Sequence, residues 1–232
     1  MKVLNSVNLY NDIRSMINNA TSEILIVTDE LSYDFAEELE RKAISGVKMK
    51  VMSSDTEWVR WLENRSRSYG LDEEKRLEED VKRISSTLTL YKRIPFLVLV
   101  AFLALIVVEL VRALKLDLLL EATLATGVLA TAFSFIYFRR KNKELEYEIS
   151  LKQQELENVR AKINDARKRL SKYLSVVELS TKVNFSLIMT DDKAIVTSMS
   201  LKYDEKESKN LDFVEEVSGD FVKSLVEKLI PG

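Results

Sequence analysis

IPFLVLVAFLALIVV at residues 94–108 and ATLATGVLATAFSFIYF at residues 122–138 are two apolar runs joined by a short charged turn. A bilayer core about 30 Å thick takes about 20 mainly apolar residues in a helix. The first run attains that length by taking in Glu109 and Arg112, the second by taking in Glu121. All three charges lie at the ends, where long side chains reach the interface. Lys92 and Arg93 precede the first run, Arg139, Arg140, Lys141 and Lys143 follow the second, and the turn between them carries Lys115 and Asp117 as well. Positive flanks outside both runs predict a transmembrane hairpin in the cell membrane, with both termini cytoplasmic and the lipid bilayer as a partner. A helical hairpin buried inside a soluble protein is the competing reading. It would need more apolar sequence to wrap it than a chain of 232 residues has left.

Outside the hairpin the chain is polar, and its net charge of −2 gives no case for nucleic acid as a partner. Cysteine is absent, which removes disulfides, thiolate chemistry and thiolate metal sites. Histidine is absent too, so no imidazole base, phosphohistidine or His-ligated metal can come from this polypeptide. No cofactor is implied. The opening MKVLNSVNLYNDI lacks the apolar core of a signal peptide, and the first span is expected to serve as its own targeting signal.

Before the hairpin the pattern is α/β. Leu9, Ile13, Met16, Ile17 and Ala20 recur at helical spacing; EILIVT at residues 23–28 reads as a strand covered on both faces. Phe35, Leu39, Ala43 and Ile44 mark a second helix with Gly46 placed as its cap, and VKMKVM at residues 47–52 alternates as a strand. Residues 55–69 predict a further helix, with Trp58 and Trp61 one turn apart, packed on the sheet, set near the lipid headgroups or forming an aromatic platform. Leu77, Val81, Ile84, Leu88 and Tyr91 then keep heptad spacing. After the second run so do Leu145, Ile149, Leu156, Val159, Ile163, Ala166, Leu170 and Tyr173, interrupted by Lys152. These stalk helices, about 30 and about 50 Å long, are expected to zip antiparallel in a coiled coil. Periodicity leaves open whether they pair within one chain or between two.

Residues 175–179, 183–189 and 193–199 read as strands, with a hairpin turn at Thr190-Asp191-Asp192-Lys193. Residues 213–230 form an amphipathic region with Phe221, Leu225 and Leu229 on one face and a helix start at Gly219. Soluble parts of about 70 and about 55 residues are each too small for a good core. The economical inference is one α/β domain split in sequence.

The segment VNFSLIMTDDKAIVTSMSL, residues 183–201, resembles the catalytic hairpin of phospholipase D-like domains, which runs His-x-Lys, four residues, Asp, then a second strand to Gly-Ser-x-Asn. Asn184 stands at the His position, Ser186 at the Lys position and Asp191 at the Asp position. Thr197-Ser198-Met199-Ser200 stands near Gly-Ser-x-Asn after a one-residue shortening. Residues 20–54 are similar to the family's opening, and LDFVEEVSGDFVKSLVEKL to its final strand and helix. The resemblance covers about half the chain, all of it outside the stalk and hairpin. It implies a phospholipase D-like single domain: 1–71 first part, 72–93 stalk helix, 94–138 transmembrane hairpin, 139–174 stalk helix, 175–232 second part.

Phospholipase D-like catalysis needs one imidazole to attack phosphorus, another to protonate the leaving oxygen, and Lys to hold phosphate charge. Asn184 and Ser186 supply none of these, which implies a pseudoenzyme. The family builds its site from two motif copies, so the resemblance also implies a homo-oligomer, a dimer or higher. On a strand, Asn184, Ser186 and Ile188 share one face and Val183, Phe185, Leu187 and Met189 the other, core face. By the resemblance the first face lines the old catalytic pocket, so Asn184, Ser186, Asp191, Ser198 and Ser200 are the ligand-cleft candidates. The leading expectation is a non-catalytic, membrane-anchored assembly or interaction module with an unidentified protein partner. The alternatives are a membrane-tethered sensor of a sugar or lipid headgroup and, last, an enzyme of unrelated chemistry using Asp191, Asp192 or Ser198.

Overall fold

A computed structural model describes residues 1–111, 117–191, 193–202 and 210–229. Arg112, Lys115 and Asp192 lie outside the described residues, as do the side chains of Glu109 and Asp117. The chain divides into two units, one formed by Met1–Tyr69 with Lys162–Gly232 and the other by Gly70–Ala161.

The first unit is built on one mixed sheet. Its strands are β1 (Lys2–Asn5), β2 (Glu23–Thr28), β3 (Lys48–Ser53), β4 (Leu174–Glu178), β5 (Ser186–Thr190), β6 (Lys193–Thr197) and β7 (Leu211–Glu216), in the order β1-β7-β6-β5-β2-β3-β4. β2, β3 and β4 run parallel, and β5 pairs antiparallel with β2, Ile26 opposite Ile188. The β5–β6 hairpin and the β7–β1 pair complete it. Strands from both ends of the chain therefore alternate in a single hydrogen-bonded layer.

Side-chain alternation along the strands explains why both faces are apolar. Ile24 and Ile26 of β2, Met49 and Val51 of β3 and Ile188 of β5 meet the helices α1 (Ser6–Asn19) and α2 (Tyr33–Ser45) through Leu9, Ile13, Ile17, Phe35 and Leu39. Leu62 of α3 (Thr56–Ser68) joins this core. On the other face Leu25, Val27, Met52, Leu187 and Ala194 pack under α6 (Gly219–Leu229) through Val222. The helix starts are capped by Asn5, Ser32 and Asp55, whose side chains accept from Val7, Phe35 and Trp58 N–H groups. Gly46 ends α2 at φ 103°, the left-handed conformation expected at that position.

Two local expectations are corrected. β5 begins at Ser186, so Val183, Asn184 and Phe185 precede the strand. The amphipathic end holds a strand, β7, and the helix α6, which starts at Gly219 as expected. In α6 the core side is Val222, Leu225, Val226 and Leu229, while Phe221 lies exposed, because an i, i+4, i+8 row drifts around a helix of 3.6 residues per turn. Trp58 and Trp61 are half-buried against the main core and stack edge-on with each other at 5.4 Å, the packing alternative.

The second unit holds α4 (Leu71–Val111) and the larger part of α5 (Asp117–Tyr173). They run antiparallel and pair within one chain: Arg160 bonds Glu74 at 2.8 Å and also meets Glu78, and Lys92 meets Glu146 at 2.8 Å. Tyr91 stacks on Phe138 at 5.3 Å and Phe96 on Phe135 at 5.5 Å. A Cβ at Gly127 would stand 3.0 Å from the Phe102 ring, so glycine permits the close approach there. Leu77 and Leu156 are buried in this pair. Both helices are long and apolar enough to cross a membrane, with windows of mean hydropathy 2.2 and 1.3. Only 6% and 11% of those windows are buried, the reverse of a soluble core hairpin.

Candidate functional site

The five residues singled out from sequence do not converge on one cleft. Asn184 is exposed in the segment before β5. Ser186 opens β5 and is fully buried, its Oγ 2.9 Å from Thr28 Oγ1. Thr28 Oγ1 donates to the Glu30 carbonyl at 3.1 Å; a hydroxyl has one proton, so Ser186 donates to Thr28. Two buried hydroxyls are thereby satisfied in a relay that ends on backbone. Ile188, on the same side of β5, belongs to the main core with Ile13 and Ile26. The face expected to line an open pocket is instead filled by the helices packed on it.

Ser198 follows β6. Its hydroxyl donates to Asp212 Oδ1 at 3.0 Å and accepts from the Phe213 N–H at 3.0 Å. Asp212 Oδ2 accepts from Ser6 at 2.6 Å, so this carboxylate ties the start of α1 to β7 and the segment after β6. Ser200 accepts from the Lys202 N–H at 3.3 Å, and Lys202 stands 3.7 Å from Glu30. Ser198 and Ser200 therefore act within the local turn structure. Thr28 and Asp212, the partners that absorb Ser186 and Ser198, belong to no motif, so nothing in the sequence marks them.

Asp191 lies beyond the opposite end of β5 from Ser186, about 16 Å away at strand spacing. Its carboxylate accepts from the backbone N–H groups of Thr21, Ser22 and Glu23 at 2.9, 2.9 and 3.0 Å and from Thr21 Oγ1 at 3.1 Å. These donors, Glu23 foremost, hold its acid dissociation well below the usual carboxylate range. A carboxylate so committed is a poor proton acceptor and a good cap.

A buried charge cluster lies elsewhere among the described residues. Glu38 and Glu40 of α2 are buried; Arg14 Nε meets Glu38 Oε2 at 3.0 Å, and Arg65 forks onto Glu40 with both bonds at 2.7 Å. The Arg65 guanidinium also lies over the Trp61 ring at 4.8 Å and the Tyr69 ring at 5.4 Å. Each carboxylate has its arginine, and the cluster ties α1, α2 and α3 together. No group of metal-ligating side chains occurs among the described residues. Compared with protein-family models, curated proteins and solved structures, the chain matches none of them.

Proposed function

We propose that this chain is a membrane-anchored, non-catalytic module, a degenerate phospholipase D-like domain that assembles with copies of itself and presents a docking platform at the cytoplasmic face. The observation that carries the reading is the pair of helices whose apolar windows face outward, set in sequence between β3 and β4 of one continuous sheet. Lipid is the solvent that such exposed apolar helices fit, since backbone bonding within a helix needs no water. Support for the domain assignment is the order of elements, with parallel β2 and β3 joined through α2 and the antiparallel β5–β6 hairpin beside them.

A non-catalytic role is supported by the absence of histidine and by Ser186, which stands where the family has lysine and donates its proton to Thr28. Self-assembly is supported by the sheet edge. Val3 and Phe213 are register partners on β1 and β7, each 51% exposed, with exposed Leu211 beside them. An apolar patch of this kind suits a second copy of the chain. The sensor alternative built on Asn184, Ser186 and Ser198 draws less support, because two of the three hydroxyl and amide groups it needs are already bonded within the fold.

Chemical crosslinking in native membranes tests the proposal. A dimer or higher band is expected, weakened by Val3→Asp with Phe213→Asp. A chain that stays monomeric both in native membranes and in nanodiscs overturns it.

A further inference from the structure

We propose that a groove at the amino-terminal ends of β2, β3 and β4 binds a single-chain amphiphile with an anionic head, such as a fatty-acid carboxylate or an alkyl phosphate. Leu25, Lys50 and Ser175 are partners in register across these three strands, so their side chains share a face. It is the face packed under α6. There Leu25, Met189, Val222 and Val226 line a cavity of about 390 Å³, within the size range of small-molecule sites.

Lys50 is the anomaly. It occupies an inner strand, paired on both sides, and is half-buried beside an apolar layer where a branched apolar residue would pack at lower cost. Lys48 lines the same groove two residues earlier, and Lys172, at the end of α5, reaches it with its ammonium 4.9 Å from the Tyr173 ring centre. Among the described residues none of the three lysines makes an ion pair. Glu23, opposite Lys48 in register, is the one carboxylate in the lining. The rim keeps a surplus of two positive charges over an apolar floor. A concave positive rim concentrates anions, and the floor gains from each methylene it covers. Either feature alone describes many surfaces; together they select an anionic head on an alkyl chain.

The test uses the full chain in phosphatidylcholine nanodiscs, labelled with a diazirine-bearing palmitate and mapped by peptide mass spectrometry. Adducts are expected on the peptides carrying Met189 and residues 222–226. Labelling there should fall about tenfold in Lys50→Gln and in Lys172→Glu, the latter an exposed position at a helix end that leaves the core untouched. Dodecyl phosphate should chase the label, and inorganic phosphate at the same concentration should not. Adducts confined to residues 94–138, labelling unchanged in Lys172→Glu, or equal competition by inorganic phosphate would each overturn the proposal.

Discussion

Asp191 Oδ2 accepts the backbone N–H of Thr21 at 2.9 Å, although 170 residues separate them. The contact pins the β5–β6 turn onto the loop that enters β2, and the Asp191 backbone is held as well, since its N–H donates to the Glu23 carbonyl at 3.0 Å. Asp191 also has φ 43°, a left-handed conformation that Asp and Asn tolerate better than most residues. A residue read as a relic of a catalytic motif thus serves as a clamp between the two ends of the sequence.

Asp191→Ala should lower stability by about 2 kcal/mol, from lost charge-assisted bonds and strain at positive φ. Asp191→Asn should lose less. The folded carboxyl is depressed below its unfolded value, so the wild-type advantage over Asp191→Asn is full above the ordinary carboxylate range, about pH 4, and shrinks as pH falls below it. Urea unfolding of the three proteins at pH 7 and pH 3 checks both statements.

Arg65→Ala strands the buried Glu40 carboxylate and should cost about 3 kcal/mol. Arg65→Leu combined with Glu40→Leu should cost clearly less, because it removes both charges. A double-mutant cycle built from Arg65→Leu, Glu40→Leu and the double variant, read by denaturant unfolding, measures the coupling; a double loss equal to the sum of the two single losses would mean that the pair itself carries little.

Gly46→Ala meets nothing within 4 Å, so its cost isolates backbone strain at φ 103°. The expected loss is about 1 kcal/mol, measured by thermal unfolding.

The chain lacks cysteine, so Lys92→Cys with Glu146→Cys introduces two unique thiols. Their parent side chains meet at 2.8 Å within one chain. A short bismaleimide should give an internally linked monomer with altered gel mobility; a covalent dimer as main product would place the helix pairing between chains.

Replacing residues 70–161 by a flexible linker between Tyr69 and Lys162 should leave a folded protein with one cooperative transition, because Arg167 Nε already bonds the Tyr69 carbonyl at 2.9 Å. Circular dichroism and thermal unfolding provide the check. Loss of cooperative melting would mean that the sheet depends on the helical unit.

Short-range physics made much of this molecule legible in the sequence. EILIVT is β2 to the residue, because an unbroken branched run fits a strand covered on both faces. Gly46 reads as a cap because few other residues sit easily at its backbone angles. The apolar runs at 94–108 and 122–138 declared two helices able to cross a membrane from length and composition alone. Tertiary structure decided what those elements do. Periodicity left the partner of α4 open, and the Arg160, Lys92 and Tyr91 contacts place it on α5 of the same chain. Strand alternation put Asn184, Ser186 and Ile188 on one face but said nothing of what lies above it; α1 and α2 cover that face, so Ser186 is buried against Thr28. Burial and partner choice depend on residues distant in the chain, and only folding brings Thr28 to Ser186, Asp212 to Ser198 and Thr21 to Asp191.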